Sequence, residues 1–205
     1  MSTKEHWENV YASKPATGVS WYAPHLAGSL RFIEEAAPCH EGRVIDVGGG
    51  ASTLVDDLLD RGFRDVTVLD LSAEALEIAQ RRLGPRAADV TWIAADVTAA
   101  ELPAARYDVW HDRAVFHFLT DPEARRRYVE RVLHAVKSGG HVIVATFGKE
   151  GPERCSGLDV VRYDAEGLHA EFGSPFRKVD SASETHTTPW GSEQEFIYCY
   201  CLKLG

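Results

Sequence analysis

The sequence predicts an α/β fold: a Rossmann-like, doubly wound, mostly parallel seven-stranded sheet with an antiparallel C-terminal strand and helices on both faces. Three observations carry this expectation. Short apolar runs alternate with amphipathic stretches from residue 43 to residue 147. The runs are apolar at both parities, as in strands buried on two faces. The last two runs are joined by a segment too short for a helical crossover, so they form a hairpin. At 205 residues, with 44% hydrophobic and 26% charged residues, the chain fits one globular domain over 1–205. A chain of that length buries a sufficient core without a disulfide or metal staple.

The elements follow in order. Arg43-Val44-Ile45-Asp46-Val47 reads as a buried strand and runs straight into Gly48-Gly49-Gly50. Leu54, Val55, Leu58 and Leu59 mark a helix that closes near Gly62. Val66 to Asp70 is a second strand, and Ser72 caps a helix with Leu76, Ala79 and Leu83 at helical spacing. Val90 to Ala94 and Tyr107 to Trp110 are the third and fourth strands. Asp121-Pro122-Glu123 supplies a cap, a first-turn proline and an acid for the N-terminal dipole. The helix it opens places Val129, Val132, Leu133 and Val136 on one face, and Gly139-Gly140 is expected to end it. His141 to Phe147 is the fifth strand. Phe176 to Ser183 and Glu195 to Leu204 form the closing hairpin, and the apolar residues at both parities of the last run predict an interior strand.

Charge and composition exclude several classes. Lys+Arg total 22 and Asp+Glu 31, a net charge of −9, which is a poor footprint for a phosphate backbone, so no nucleic acid partner is expected. The apolar stretch Val142 to Phe147 is too short to span a bilayer, and no apolar signal core follows the first residues, so no membrane partner is expected and a cytoplasmic location is. Cys39, Cys155, Cys199 and Cys201 show no CxxC spacing and read as free thiols. Cys199-x-Cys201 lacks a second ligand pair, so core packing accounts for it and no metal is expected. The Arg125-Arg126-Arg127 run reads as the solvated face of its helix.

Ligands of open α/β sheets bind beyond the carboxyl ends of the strands, near the switch in strand order. The sharpest local signal, Asp46-Val47-Gly48-Gly49-Gly50-Ala51-Ser52, lies at such an end. Glycines there let the backbone turn tightly and approach a ligand. Asp70 ends the second strand, 22 residues after Gly48, where a carboxylate can accept both hydroxyls of a ribose. A dinucleotide fingerprint would need a third glycine at Thr53. Asp46, two residues before the glycines, would repel a pyrophosphate but suits an ammonium. The pattern points to a nucleoside that carries an amino acid.

Asp46-x-Gly48-x-Gly50, then Asp70, then Asp96-Val97 after the third strand, resembles the class I S-adenosylmethionine (SAM)-dependent methyltransferases over nearly the whole chain. The likeness implies SAM as cofactor. Gly48, Gly49 and Gly50 would flank its methionine portion, and Asp46 would sit near the ammonium. Asp70 would hold the ribose hydroxyls, Leu71 would pack on the adenine face, and Asp96 would accept from the adenine amino group beside the Val97 amide. His111 would line the donor pocket. Trp7-x-x-x-Tyr11, Val19-Ser20-Trp21-Tyr22 and Asp112-Arg113-Ala114 are similar to the thiopurine and chalcogen methyltransferases, and also to the lysine methyltransferases of elongation factor and citrate synthase. Phe116-His117 lacks the acid those lysine enzymes carry. Gly151-Pro152 leans towards the small-molecule branch.

Methyl transfer is an in-line displacement in which orientation does much of the work, and a dry site helps. Residues 1–25, with Trp7, Tyr11, Trp21 and Tyr22, would form a lid presenting aromatic faces to the sulfonium. If the acceptor must lose a proton, His117 is the first choice as base, and Asp112 is the second catalytic candidate; the alternative reading of Asp112-Arg113 is a structural pair. His111 and His186 are further candidates. The expected acceptor is a small molecule bearing a thiol, chalcogen or carboxylate. A partner-protein lysine is the alternative, and a SAM-binding module without catalysis a further one.

Overall fold

A computed structural model describes residues 3–205. The chain starts with α1 (Thr3–Ser13) and α2 (Ala27–Ala36). It continues through β1 (Val44–Val47), α3 (Leu54–Asp60), β2 (Val66–Asp70), α4 (Ala73–Leu83) and β3 (Val90–Ala94). Next come β4 (Tyr107–Arg113), α5 (Pro122–Ala135), β5 (Val136–Phe147), the two-residue strands β6 (Arg154–Cys155) and β7 (Leu158–Asp159), α6 (Ala165–Phe172), β8 (Phe176–Thr187) and β9 (Glu193–Lys203). The main sheet has the order β3-β2-β1-β4-β5-β9-β8. β9 runs antiparallel between β5 and β8, so the closing hairpin and its interior last strand are as the sequence predicts.

Burial explains the layers. β1 and β2 are buried at every position, which fits strands covered on both faces. Phe32, Ile33, Leu54, Leu58, Leu76 and Leu83, from α2, α3 and α4, join Phe147, Phe196 and Tyr198 in a core on one face. Tyr128, Val132, Leu168 and Phe172, from α5 and α6, join Trp110, Val142 and Cys199 in a core on the other. Each large apolar side chain so buried contributes roughly 1.5–3 kcal/mol. Chain order reverses between β1 and β4, which opens a crevice at their carboxyl ends.

Three boundaries differ from the sequence expectation. α5 ends at Ala135 rather than at Gly139-Gly140, because the amides of Ala105 and Arg106 take the carbonyls of His134 and Ala135 at 2.8 Å. Lys203 Nζ donates to the carbonyls of Leu133 at 2.6 Å and Val136 at 2.7 Å, placing a cation at the helix C-terminus. Val136 therefore pairs with Tyr107 as the first residue of β5, and the register shifts before Val109 pairs with His141. β4 continues to Arg113, so His111, Asp112 and Arg113 alternate across the sheet. The β8–β9 turn shrinks to residues 188–192.

α1 lies across the carboxyl edge. Glu8 docks it: its carboxylate accepts from Ser72 Oγ at 2.9 Å, Ala73 N at 3.0 Å and Glu74 N at 3.2 Å. A helix on one side of the crevice thus supplies the anion for the N-terminus of α4, while Ser72 also accepts from Ala75 N at 3.2 Å. Replacing Glu8 with alanine removes a contact worth about 1 kcal/mol. Amide hydrogen exchange in α1 should then speed up about fivefold while the β1–β5 amides keep their protection. Unchanged exchange in α1 would show that Glu8 does not hold it.

Candidate functional site

A cavity of about 330 Å³ opens at the switch point, bounded by the ends of β1, β2, β3 and β4. Its floor includes Gly48, Asp70, Leu71, Asp96 and Val97, and its roof Trp7, Tyr11 and Trp21. A smaller space beside it, about 40 Å³, is lined by Asp46, Gly48, Gly49, Tyr22 and His111 among others. Tyr11, Trp21, Gly48 and Arg113 line both and mark their junction.

Backbone shape creates the space. Gly48 has φ +71°, and a Cβ there would sit 1.9 Å from Val115 Cγ2. Gly50 has φ +41°, and a Cβ there would meet Asp70 Oδ2 at 2.8 Å and the Tyr11 hydroxyl at 3.2 Å. Gly50 lies beneath Asp70 and lines neither space. The facing loop is set by Asp112, whose buried carboxylate accepts from Val115 N at 2.9 Å, Phe116 N at 3.1 Å and the Tyr128 hydroxyl at 2.7 Å. These bonds hold the turn in which Ala114 takes φ +73°, a conformation that costs a non-glycine residue roughly 1–2 kcal/mol. Burial raises the Asp112 pKa to about 6, although the hydrogen bonds from Tyr128 and the Val115 amide work the other way.

The acids of the site differ in what they accept. Asp70 Oδ1 accepts from Ser72 N at 2.8 Å. Burial raises Asp70 to about 7, and the charges of Asp46 and Glu8 add to the rise. Asp96 accepts from Thr98 N and Thr98 Oγ1, both at 2.8 Å, through one oxygen only. Asp46 Oδ1 pairs with His111 Nδ1 at 2.7 Å, and His111 Nε2 meets Ser29 Oγ at 2.8 Å. This Ser-His-Asp arrangement resembles a nucleophilic triad in its spacing, but Ser29 is fully buried and lines neither space, so it fixes the ring that balances Asp46. Carboxylates that can accept from hydroxyl and amino groups fit a nucleoside, and the acidic floor disfavours phosphates. These residues fit SAM.

The roof is an aromatic cluster. Trp7 packs edge-on against Trp21 at 5.6 Å and Phe118 at 5.1 Å, and Tyr11 lies 6.2 Å from Trp21. It spans from the end of β2 to the turn after β4. Tyr22 lines the smaller space, apart from this cluster.

Two expected catalytic residues are placed elsewhere. His117 is fully buried and lines neither space. Its Nδ1 accepts from Phe147 N at 3.3 Å, its ring packs on Phe147, and burial, with the nearby Arg113 charge, lowers its pKa to about 3. Sealed from both spaces, the ring does not face the position an acceptor would take. Asp112 faces α5 and shapes a loop. It does not pair with Arg113, because consecutive strand residues point to opposite faces. The loop between β5 and α6 contributes Cys155 to the cavity. The β8–β9 turn contributes nothing to the cavity, and His186 instead contacts the Ser20 carbonyl at 2.7 Å. Sequence reasoning missed Thr120, Asp121, Ala124 and Arg127 on α5 and its approach, which line the outer cavity. Their only signal was that they follow the β4 end.

Comparison with known proteins agrees with this architecture. Residues 44–140 match the methyltransferase domain family. The eEF1A lysine and N-terminal methyltransferase of Mus musculus is 28% identical over 138 residues, covering 66% of this chain and 20% of the relative. The malonyl-[acyl-carrier protein] O-methyltransferase of Paenibacillus sp. (strain JDR-2) is 26% identical over 186 residues, covering 87% of this chain and 64% of the relative. The chain thus spans about a fifth of the mouse protein and under two thirds of the bacterial one. A solved structure from work on the conversion of a disulfide bond into a thioacetal group during echinomycin biosynthesis has TM-score 0.76 at 18% identity, covering 99% of this chain and 93% of that one. Residues 44–140 thus carry a methyltransferase domain, and the fold is the Rossmann-like methyltransferase fold. SAM is the cofactor. No described helix is long and apolar enough to cross a membrane.

The state of Asp70 gives a test. Because its pKa is raised, the folded protein holds a proton between about pH 4 and pH 7 that the unfolded chain releases, and its stability falls as pH rises through that window. If the ribose hydroxyls of a bound nucleoside donate to this carboxylate, they favour its charged form and binding expels the proton. Affinity for S-adenosylhomocysteine should therefore fall as pH drops from about 8 to 6, with proton release seen by calorimetry in buffers of different ionisation enthalpy. Asp70→Asn should flatten the dependence. A pH-independent affinity in the wild type would remove Asp70 from the ribose.

Proposed function

We propose that this chain transfers a methyl group from SAM to a small-molecule acceptor. The observation that carries this reading is the aromatic roof: Trp7, Tyr11 and Trp21 lie over the junction of the two spaces, leaving a compact cavity beneath them. In this reading the nucleoside occupies the larger space, with Asp70 on the ribose, Leu71 against the adenine face, and Asp96 and the Val97 amide at its edge. The amino acid portion takes the smaller space, with Gly48 and Gly49 alongside and Asp46, held by His111, near the ammonium.

SAM supplies an activated sulfonium methyl. The residues of the chain then have only to bind, orient and exclude water. Gly48 allows close backbone approach, Asp70 fixes the nucleoside, and the roof keeps water from the junction while presenting ring faces to a cation. No histidine lines the larger cavity among the described residues. That suits an acceptor already deprotonated at neutral pH, such as a carboxylate or an acidic thiol or selenol.

A second reading, methylation of a lysine or N-terminus on a partner protein, draws support from the eEF1A-directed relatives. The malonyl-directed relative supports a carboxyl acceptor, presented on a carrier. A radiolabelled-methyl screen over small thiols, chalcogenides, carboxylic acids and lysate proteins separates them. Label on a small acid or thiol is expected. Label confined to a protein band would establish the second reading, and SAM binding with no transfer would mark a non-catalytic binding module. With the acceptor found, His117→Asn should lower turnover by far less than the ~10²-fold that loss of a general base costs. A loss of that size at unchanged cofactor affinity would return His117 to the chemistry.

A further inference from the structure

Among the described residues, Arg113 is the one cation at the junction of the two spaces. Its side chain is 5% exposed. Its Cζ lies 4.0 Å above the Phe196 ring, a stacking that favours arginine over lysine. Nη1 reaches only the Trp21 carbonyl, at 3.4 Å. The Glu184 carboxylate offsets part of the charge from 3.7 Å, too far for a hydrogen bond. Nε and Nη2 are buried without a well-formed hydrogen bond, with only the Tyr198 hydroxyl and the Glu184 carboxylate as polar neighbours. Charged donors left unmet in a protein interior are costly. Such a residue, beside the glycine turn and under the roof, is unfinished without a ligand.

We propose that Arg113 anchors the methyl acceptor and that the acceptor is a carboxylate. This rests on the methyltransferase reading above and names the substrate class for the same site. In that reading the sulfonium lies at the junction, so Arg113 adds a second positive charge there. An amine acceptor would enter against both charges, and an anion is drawn by both. Two unmet N–H groups on one planar fork match the two oxygens of a carboxylate better than the single sulfur of a thiolate. The acceptor oxygen donates a lone pair to form the new O–C bond. The methyl's bond to sulfur breaks and its electron pair stays on sulfur, leaving a neutral thioether and a methyl ester. No proton moves, in keeping with a larger cavity that no described histidine lines and with a His111 ring already engaged by Asp46 and Ser29.

The test uses the full chain, benzoate and butyrate as probes, their amides as matched neutral controls, and a lysine peptide. Calorimetry in saturating S-adenosylhomocysteine should show a carboxylate binding and its amide not binding. Transfer from labelled SAM should follow the same preference. Arg113→Met should weaken carboxylate binding at least tenfold and Arg113→Lys should restore it only in part, with affinity for S-adenosylhomocysteine within about threefold of wild type in both. Glu184→Gln, which removes the competing acid, should tighten carboxylate binding and controls for misfolding of the Arg113 variants. Equal use of acid and amide, preference for the peptide, no carboxylate binding, or full activity of Arg113→Met would overturn the proposal while cofactor binding still upheld the wider reading. Loss of S-adenosylhomocysteine binding by the wild type would sink both.

Discussion

The close approach of the loops after β1 and β4 is the constraint on which the site depends. Gly48 sits where any Cβ would strike Val115, and Val115 is brought there by a turn pinned on the buried Asp112 carboxylate. Tyr128 and, through its hydroxyl, Trp110 complete that support from the α5 face. The crevice is thus bounded on one side by a residue with no side chain and on the other by a loop whose strain is met by hydrogen bonds. Asp112, expected in the chemistry, is what shapes the wall against which the chemistry is placed.

A second consequence is electrostatic. Three carboxylates, Asp46, Asp70 and Asp96, converge from β1, β2 and the turn after β3. Each is handled differently: Asp46 by a buried histidine, Asp70 by backbone amides and a raised pKa, and Asp96 by a threonine turn at the surface. The arrangement leaves acceptor oxygens facing a space closed by aromatic rings, which is complementary to a hydroxylated nucleoside and a nearby positive centre. Glu8 ties the roof to the same region, because the helix that carries Trp7 and Tyr11 is fastened to the N-terminus of α4, three residues beyond Asp70.

Much of this was legible in the sequence, and the reasons are specific. The apolar runs of β1, β2 and β5 and the glycine turn encode their own geometry, since only glycine at positions 48 and 50 tolerates both the positive φ and the contact. Asp70 was legible because a strand end followed by a helix cap leaves one place for its carboxylate. What failed was orientation. Arg113 ends β4 and His117 follows it by four residues, yet the His117 ring is sealed against Phe147 while the Arg113 side chain lies at the junction. Extending β4 by three residues decides which of His111, Asp112 and Arg113 faces the ligand side. The end of α5 was also missed, because Lys203, from the far end of the chain, and the turn before β4 satisfy its last carbonyls.

The central claim is that this crevice accepts a cationic sulfur nucleoside and rejects a pyrophosphate. Isothermal titration with SAM and, separately, with NAD tests it most directly. Saturable binding of one SAM per chain, with no heat from NAD at the same concentrations, is the result the structure predicts. Saturable binding of NAD with none of SAM would contradict it.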